Sequence, residues 1–508
     1  MFRFATRASK HRTAGIFGAA FTIRESTKYD TPSELKIAPN QRVEKQFRFG
    51  DEQTAAMKID SLKLEVPGYT RVSYNAIGRE NVIRVSSDTD ALVDAVRAIP
   101  HGSHGLELYT EEPFGSSGHL LIEIFLAQPA EVKEISCAGS SVTVVEDGVL
   151  MNNHPDEEVV VKQSGSGDLF VTSGDTLVRS LSLALSGSGS LHFSAPNVVA
   201  VDKTSLSLAA SGTLQMFANR LETGSAKLGV AGSGEVQLGT QALIAKEKVS
   251  ASMAGSGKAR VFSSTIHTPQ VKCSIAGSGD IRVGAQDVLA ATSLKSSIAG
   301  SGDITIAART AQCDSHGISI AGSGDVDAGD VAVTGTKVSI IGSGDSIVQA
   351  VESIKYSKLG SGTIKHVGPA PRNVSGSGST HALQQLYRHD TRSVSDRIAM
   401  GWKAPTAIPV KEEAFDKITV RPSSRSRHSS SHDYHVEIRS WSDLVSQVQG
   451  LFGFNTRPAP MVSMPPMPPI PPMAAPPTGA TSTAYKVVGS DAHAKSDFQL
   501  QQNGKREP

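Results

Sequence analysis

Between residues 163 and 380, apolar and polar side chains alternate in short runs. Each run is broken by a Gly-Ser-Gly element followed by a polar residue and usually an aliphatic one. The second glycine of the element falls at Gly167, Gly189, Gly212, Gly234, Gly257, Gly279, Gly302, Gly324, Gly344, Gly362 and Gly378. The spacings are 22, 23, 22, 23, 22, 23, 22, 20, 18 and 16 residues, and one copy is degenerate, reading Ala210-Ser211-Gly212. Short β-forming runs punctuated by glycine at this period predict one winding of a β-solenoid per repeat, stacked at about 4.8 Å. The expected fold class is all-β, a parallel β-helix or β-solenoid of about 10–11 coils. The shrinking spacings predict coils that narrow toward the C-terminal end.

Parity assigns the faces. Ile275, Gly277, Gly279, Ile281 and Val283 fall on one side of an extended segment, and so do Ile298, Gly300, Gly302, Ile304 and Ile306. The next copy repeats the set with Ile320, Gly322, Gly324 and Val326. Because side chains alternate across a strand, the aliphatics and both glycines are expected to point inward, with Ser278, Asp280 and Arg282 outward. Glycine at these corners lets the backbone turn or approach closely without a Cβ. Gly277, Gly279, Gly300, Gly302, Gly322 and Gly324 are therefore read as structural.

The flanks read differently. Residues 34–160 alternate irregularly, as in Leu62-Lys63-Leu64-Glu65-Val66 and Leu121-Ile122-Glu123-Ile124-Phe125, and predict a β-rich cap with a short helix over Ala91–Ile99. The repeat domain follows at 161–380, then a linker at 381–439 that contains the basic, serine-rich stretch Arg421–His432. Residues 440–453 predict a short amphipathic helix presenting Trp441, Leu444, Val445, Val448 and Phe452, which either packs on the solenoid or docks a partner. Residues 454–508 form a proline-rich tail, expected to be largely disordered, that acts as a spacer or as a polyproline ligand.

The signature Ala-Gly-Ser-Gly-Asp-aliphatic, at Ala276–Ile281, Ala299–Ile304 and Ala321–Val326, resembles the head-GIN domain of bacterial auto-transporter adhesins. The resemblance covers about Gln163 to Thr380. It implies a right-handed parallel β-helix-like fold, an adhesive or scaffold role, and no established catalytic residues. The N-terminal segment and the long tail lie outside it.

Composition narrows the possibilities. Aromatics are 5% and glycines number 47, so small aliphatic layers rather than large side chains must fill the core. A net charge of +1 gives no broad nucleic-acid footprint. Three scattered cysteines, Cys137, Cys273 and Cys313, do not make a disulfide framework. No apolar run is long enough to span a membrane as a helix. In residues 1–33, Arg3, Arg7, Lys10, Arg12 and Arg24 precede the first acid, Glu25, with phenylalanines between them. That pattern reads as a mitochondrial transit peptide, with a secretory signal or an untargeted cytoplasmic tail as the alternatives.

The outward position after each Gly-Ser-Gly carries the candidate chemistry. Asp280, Asp303, Asp325 and Asp345 fall on consecutive coils, so carboxylates stack about 5 Å apart. Such a ladder suits calcium, or the paired carboxylates of a carbohydrate-active enzyme. The simpler reading is that each Asp accepts backbone N–H bonds at its corner. A uniform ladder has no pocket and nothing to split the pKa values of neighbouring carboxyls. His101 and His104 lie close together without a ligand set to complete them. The reading is a non-enzymatic scaffold that presents a regular surface to a protein partner and carries no cofactor. The alternative is a calcium-binding or carbohydrate-active solenoid that uses the aspartate ladder.

Overall fold

The structure is a computed structural model that describes residues 10–14, 21–28, 43–49, 58–76, 80–111, 116–377, 383–386, 394–399, 401–409 and 418–420. The predicted helix at 440–453, the basic stretch at 421–432 and the proline-rich tail lie outside the described residues. The fold is all-β, a solenoid of about 11 turns.

One winding shows how the sequence builds the coil. Asp280–Gly300 pairs in parallel with Lys258–Gly277 on one side and with Asp303–Gly322 on the other, nearly residue for residue. Ile281, Val283 and Ala285 point inward from a first face, Leu289 and Ala291 from a second, and Leu294, Ser296 and Ile298 from a third. Exposed Gln286, Asp287 and Thr292 mark the bends between faces. Each inward position stacks on its counterpart one rung away, for instance Ile275 on Ile298 on Ile320. The core is thus a pile of Val, Ile, Leu and Ala columns, and burying these aliphatics is the main drive for winding. The last coils shorten to Val326–Gly342 and Ser346–Leu359, following the shrinking repeat.

The glycine corner departs from simple alternation. Gly279, Gly302 and Gly324 are buried, while Gly277, Gly300 and Gly322 are half-buried and carry φ values of 136°, 138° and 135°. A left-handed residue breaks the two-residue alternation. A Cβ at either glycine would strike the carbonyl oxygen of the matching glycine one coil earlier, and at Gly279 and Gly324 it would also crowd the core side chains Met253 and Ile298. The carbonyl of Gly277 accepts the N–H of Ser301 at 3.0 Å and of Gly302 at 3.2 Å, so the corner is a backbone-to-backbone contact. The two glycines are needed for stacking between coils. At the degenerate copy, Ala210 occupies the same position with φ 119°.

Windings begin before the Gly-Ser-Gly series. Ser61–Glu65 and Tyr69–Tyr74 pair in parallel with Glu134–Gly139 and Val142–Val145, which lead into the regular coils. Between them Gly105–Thr110 and Leu120–Leu126 stack in parallel on Ser61–Glu65 and Tyr69–Tyr74, and the chain also adds antiparallel strands. Asn81–Ser87 lies between Leu120–Leu126 and Val43–Phe49, and Phe21–Lys28 and Lys10–Ala14 extend the same sheet. The helix predicted over Ala91–Ile99 is confined to Asp90–Ala95. β-Branched Val96 and Ile99 continue as the strand Val96–His101, paired with Gly105–Thr110.

Candidate functional site

Two places gather polar side chains: the aspartate edge and the first face beside it. At the edge, Asp303 Oδ1 accepts the backbone N–H of Asp325 at 3.1 Å, and Asp325 Oδ1 accepts that of Asp345 at 2.7 Å. Asp345 accepts the N–H of Thr363 at 2.8 Å, and its second oxygen meets Lys365 Nζ at 2.8 Å. Each of these three carboxylates therefore spends one oxygen on the next coil's backbone. Partial burial pushes the Asp345 carboxyl up, but the bonds from Lys365 and Thr363 outweigh it, and its pKa lies below the ordinary value. Asp280 shares the column and faces Asp303 in register. Among the described residues no cluster of three or more His, Cys, Asp or Glu has metal-holding geometry. His101 and His104 are exposed and bind Glu107 and Ser103 separately.

The three thiols are buried and unpaired. Burial pushes those of Cys137 and Cys273 up to about 12 and that of Cys313 up to about 11, so all three stay protonated at neutral pH.

The first face holds an arrangement that the sequence reading did not anticipate. After the last coils the chain doubles back. The short helix Val394–Ala399 and the segment to 409 lie across the outward residues of several coils as a strap. Arg397 forms a two-pronged ion pair with Asp330, with bonds of 2.7 and 2.8 Å. Ile398 packs on Gly284. Trp402 stacks on Phe262 at 4.9 Å between centroids and meets Phe217 edge-on at 5.7 Å, over Gly239, where a Cβ would collide with the indole. Lys403 Nζ bonds Glu235 at 2.7 Å, and Thr406 bonds Gln215 at 3.1 Å. Farther along, Ile418–Val420 pairs antiparallel with Ser116–Gly118 in the N-terminal region.

Under the strap runs a buried polar row. Glu235 pairs with Arg260 and accepts a bond from Gln237. Gln215 links His192 to this row, and the His192 ring stacks on Phe170 at 4.8 Å. Burial, and after it the neighbouring Arg282, lowers the Arg260 pKa against the pull of Asp280. The space between strap and sheet, lined by Arg260, Phe262, Arg282, Arg397 and Trp402, is about 10 Å³, room for roughly one water. A larger groove of about 720 Å³, lined in part by His267, Ala290, Cys313, Val333, Val351 and Glu352, lies along the outside of the coils. The clearest available signal for the strap was Trp402, one of only two tryptophans, in a stretch otherwise read as linker.

A family model described as "Putative auto-transporter adhesin, head GIN domain" matches residues 62–264 and 256–370, more than half of the 508 residues. The match begins where the first windings begin, ahead of the Gly-Ser-Gly series. Similar solved structures include a putative lipid binding protein from Parabacteroides distasonis ATCC 8503. It shows 19% identity over 52% of this chain and 96% of that one, with a TM-score of 0.38. A putative adhesin from Bacteroides fragilis NCTC 9343 shows 14% identity over 48% and 96%, with a TM-score of 0.35. A putative adhesin from Parabacteroides merdae ATCC 43184 shows 13% identity over 65% and 97%, with a TM-score of 0.32. A search among curated proteins finds no match.

The mitochondrial destination and transit peptide expected from the N-terminus are corrected by the family match. Auto-transporter adhesin domains point to a surface or secreted protein. Basic and aromatic residues without acids are a compositional signal that carries no address by itself.

Proposed function

Because the chain belongs to the putative auto-transporter adhesin, head GIN domain family, we propose that it is a non-enzymatic interaction scaffold whose coils present a regular surface to a protein partner. The observation that carries this reading is the in-register stacking of the coils from Ser190–Ala210 to Asp303–Gly322. Stacking turns one residue position into a straight outward column, so a small repeat becomes a long, stiff recognition surface. Recognition on such a surface needs no enclosed cavity. The space beneath the strap is too small for a substrate, and the larger groove is open along the coils.

The test is binding of the immobilised full chain to a bacterial cell-surface extract, before and after the extract is digested with protease. Saturable binding that disappears on digestion supports a protein partner. Binding that survives complete digestion, or no binding at all, counts against it.

A further inference from the structure

The third face of the coils carries a row of lysines with no acidic neighbour. In register, one outward column reads Lys227, Ser250, Lys272, Lys295, Gly317, Lys337 and Lys355. All five lysines are exposed. The column spans six rungs, roughly 29 Å at the parallel-sheet spacing. The adjoining outward column is built of hydroxyls, among them Ser252, Ser274, Ser297 and Ser339. Neither column contains an aspartate or a glutamate.

Several basic side chains elsewhere on the coils have acidic partners: Lys246 with Glu222, Arg309 with Asp287, Lys365 with Asp345 and Lys403 with Glu235. Among the described residues, none of the five lysines forms an ion pair. Lys272 and Lys295 are one rung apart, as are Lys337 and Lys355, so each pair lies within a Debye length at physiological salt and repels. The fold holds these charges in line on a stiff sheet, where a polyanion would relieve the repulsion along its whole length.

We infer that this third face is a docking surface for a linear acidic polysaccharide lying along the coil axis. Lysine ammonium groups act as point charges for carboxylate or sulfate groups, and the serine column offers donors and acceptors to sugar hydroxyls. The two columns carry no aromatic side chain, which single-stranded nucleic acid needs for base stacking. Between Lys227 and Ser339 they also lack the large apolar side chains by which a protein inserts into a lipid surface. The inference goes beyond the protein partner proposed above and does not depend on it.

The test uses the full chain and two probes of this chemistry, alginate for carboxylates and heparin for sulfates. Neutral dextran, phosphatidylglycerol vesicles and oligo-dT serve as the other arms. The parent protein is expected to bind at least one acidic polysaccharide in a salt-sensitive way and to ignore dextran. The triple variant Lys272→Ser, Lys295→Ser, Lys337→Ser follows the chain's own usage at Ser250 and should lose about tenfold or more in affinity. A charge-matched triple elsewhere on the coils, Lys246→Ser, Lys258→Ser, Arg309→Ser, should stay within about twofold. Equal losses in the two triples, unchanged binding in the first, or preference for vesicles or oligo-dT would overturn the assignment. Should the first triple fail to fold, acylation mapping of the parent decides. Bound polysaccharide should protect Lys272, Lys295, Lys337 and Lys355 but not Lys246 or Lys258, and uniform or absent protection would also overturn it.

Discussion

The Gly-Ser-Gly edge and the strapped first face sit only a few residues apart on the same coils, yet they are held by different contacts. At the edge, backbone meets backbone: the carbonyl of Gly277 takes two N–H groups from the next coil, and no side chain could fit between them. On the strapped face, side chains far apart in sequence meet, with Trp402 over Gly239 and Arg397 on Asp330. The edge repeats and has little tolerance for added volume, with Ala210 the largest side chain held at its left-handed corner. The strap is made once, and its contacts are separable. Stability of the solenoid should therefore reside in the first, and occupancy of the face in the second.

The largest effect should come from breaking the edge. Gly300→Val adds a Cβ against the Gly277 carbonyl at a φ of 138°. It should cost at least about 4 kcal/mol in urea unfolding. Gly317→Ala, where a Cβ meets nothing within 4 Å, should change stability by less than about 1 kcal/mol.

Acid should weaken the coils. His316 is buried against Ser296, and burial lowers its pKa to about 4. In the unfolded chain the ring titrates at its ordinary value, so below that value the unfolded state binds the extra proton. Stability should be full above about pH 6.5, fall by about 3 kcal/mol as pH drops toward 4, and level off below. His316→Leu, matching Leu294 one rung earlier, should flatten the profile in chemical denaturation. A slope unchanged by the substitution would place the titrating group elsewhere.

A third change should act on the strap alone. Trp402→Ala removes the indole between Phe217 and Phe262 and should loosen the strap by roughly 2 kcal/mol. Hydrogen exchange at residues 394–409 should accelerate while exchange in the coil cores stays slow. Equal acceleration in both would mean that strap and coils unfold as one unit.

The smallest effect has the opposite sign. Ala210 holds a positive φ that suits glycine, so Ala210→Gly should raise stability by about 1 kcal/mol. A loss would show that the alanine methyl has a packing role that outweighs its strain.

The same contrast explains what could be read from the chain. A repeat that recurs eleven times leaves a period, and Ile275, Ile298 and Ile320 announce the core column by parity alone. The aspartate column could be placed on an outward edge for the same reason, but the backbone N–H groups that it accepts depend on rung geometry. Of the two glycines read as inward, the second is buried, as at Gly279, but the first is only half-buried, because a positive φ at Gly277 and its equivalents shifts the alternation. The strap left no periodic trace. Glu235 and Arg260 meet because their coils stack, but only the chain's return brings Trp402 and Lys403 onto that face. The first windings at Ser61–Glu65 were obscured likewise, since between Tyr74 and Glu134 parallel rungs alternate with antiparallel strands and no Gly-Ser-Gly period marks them.

The central claim is that successive coils stack in register at the Gly-Ser-Gly edge. Ser278 and Ser301 face each other there with hydroxyl oxygens 3.2 Å apart. The pair Ser278→Cys, Ser301→Cys should oxidise rapidly to a disulfide within one chain, since adjacent parallel rungs fall inside the Cα separation that such a bond requires. Ser278→Cys with Ser323→Cys, two rungs apart, should remain reduced. Crosslinking of the second pair in preference to the first, or of neither under oxidation, would contradict the register on which the whole account stands.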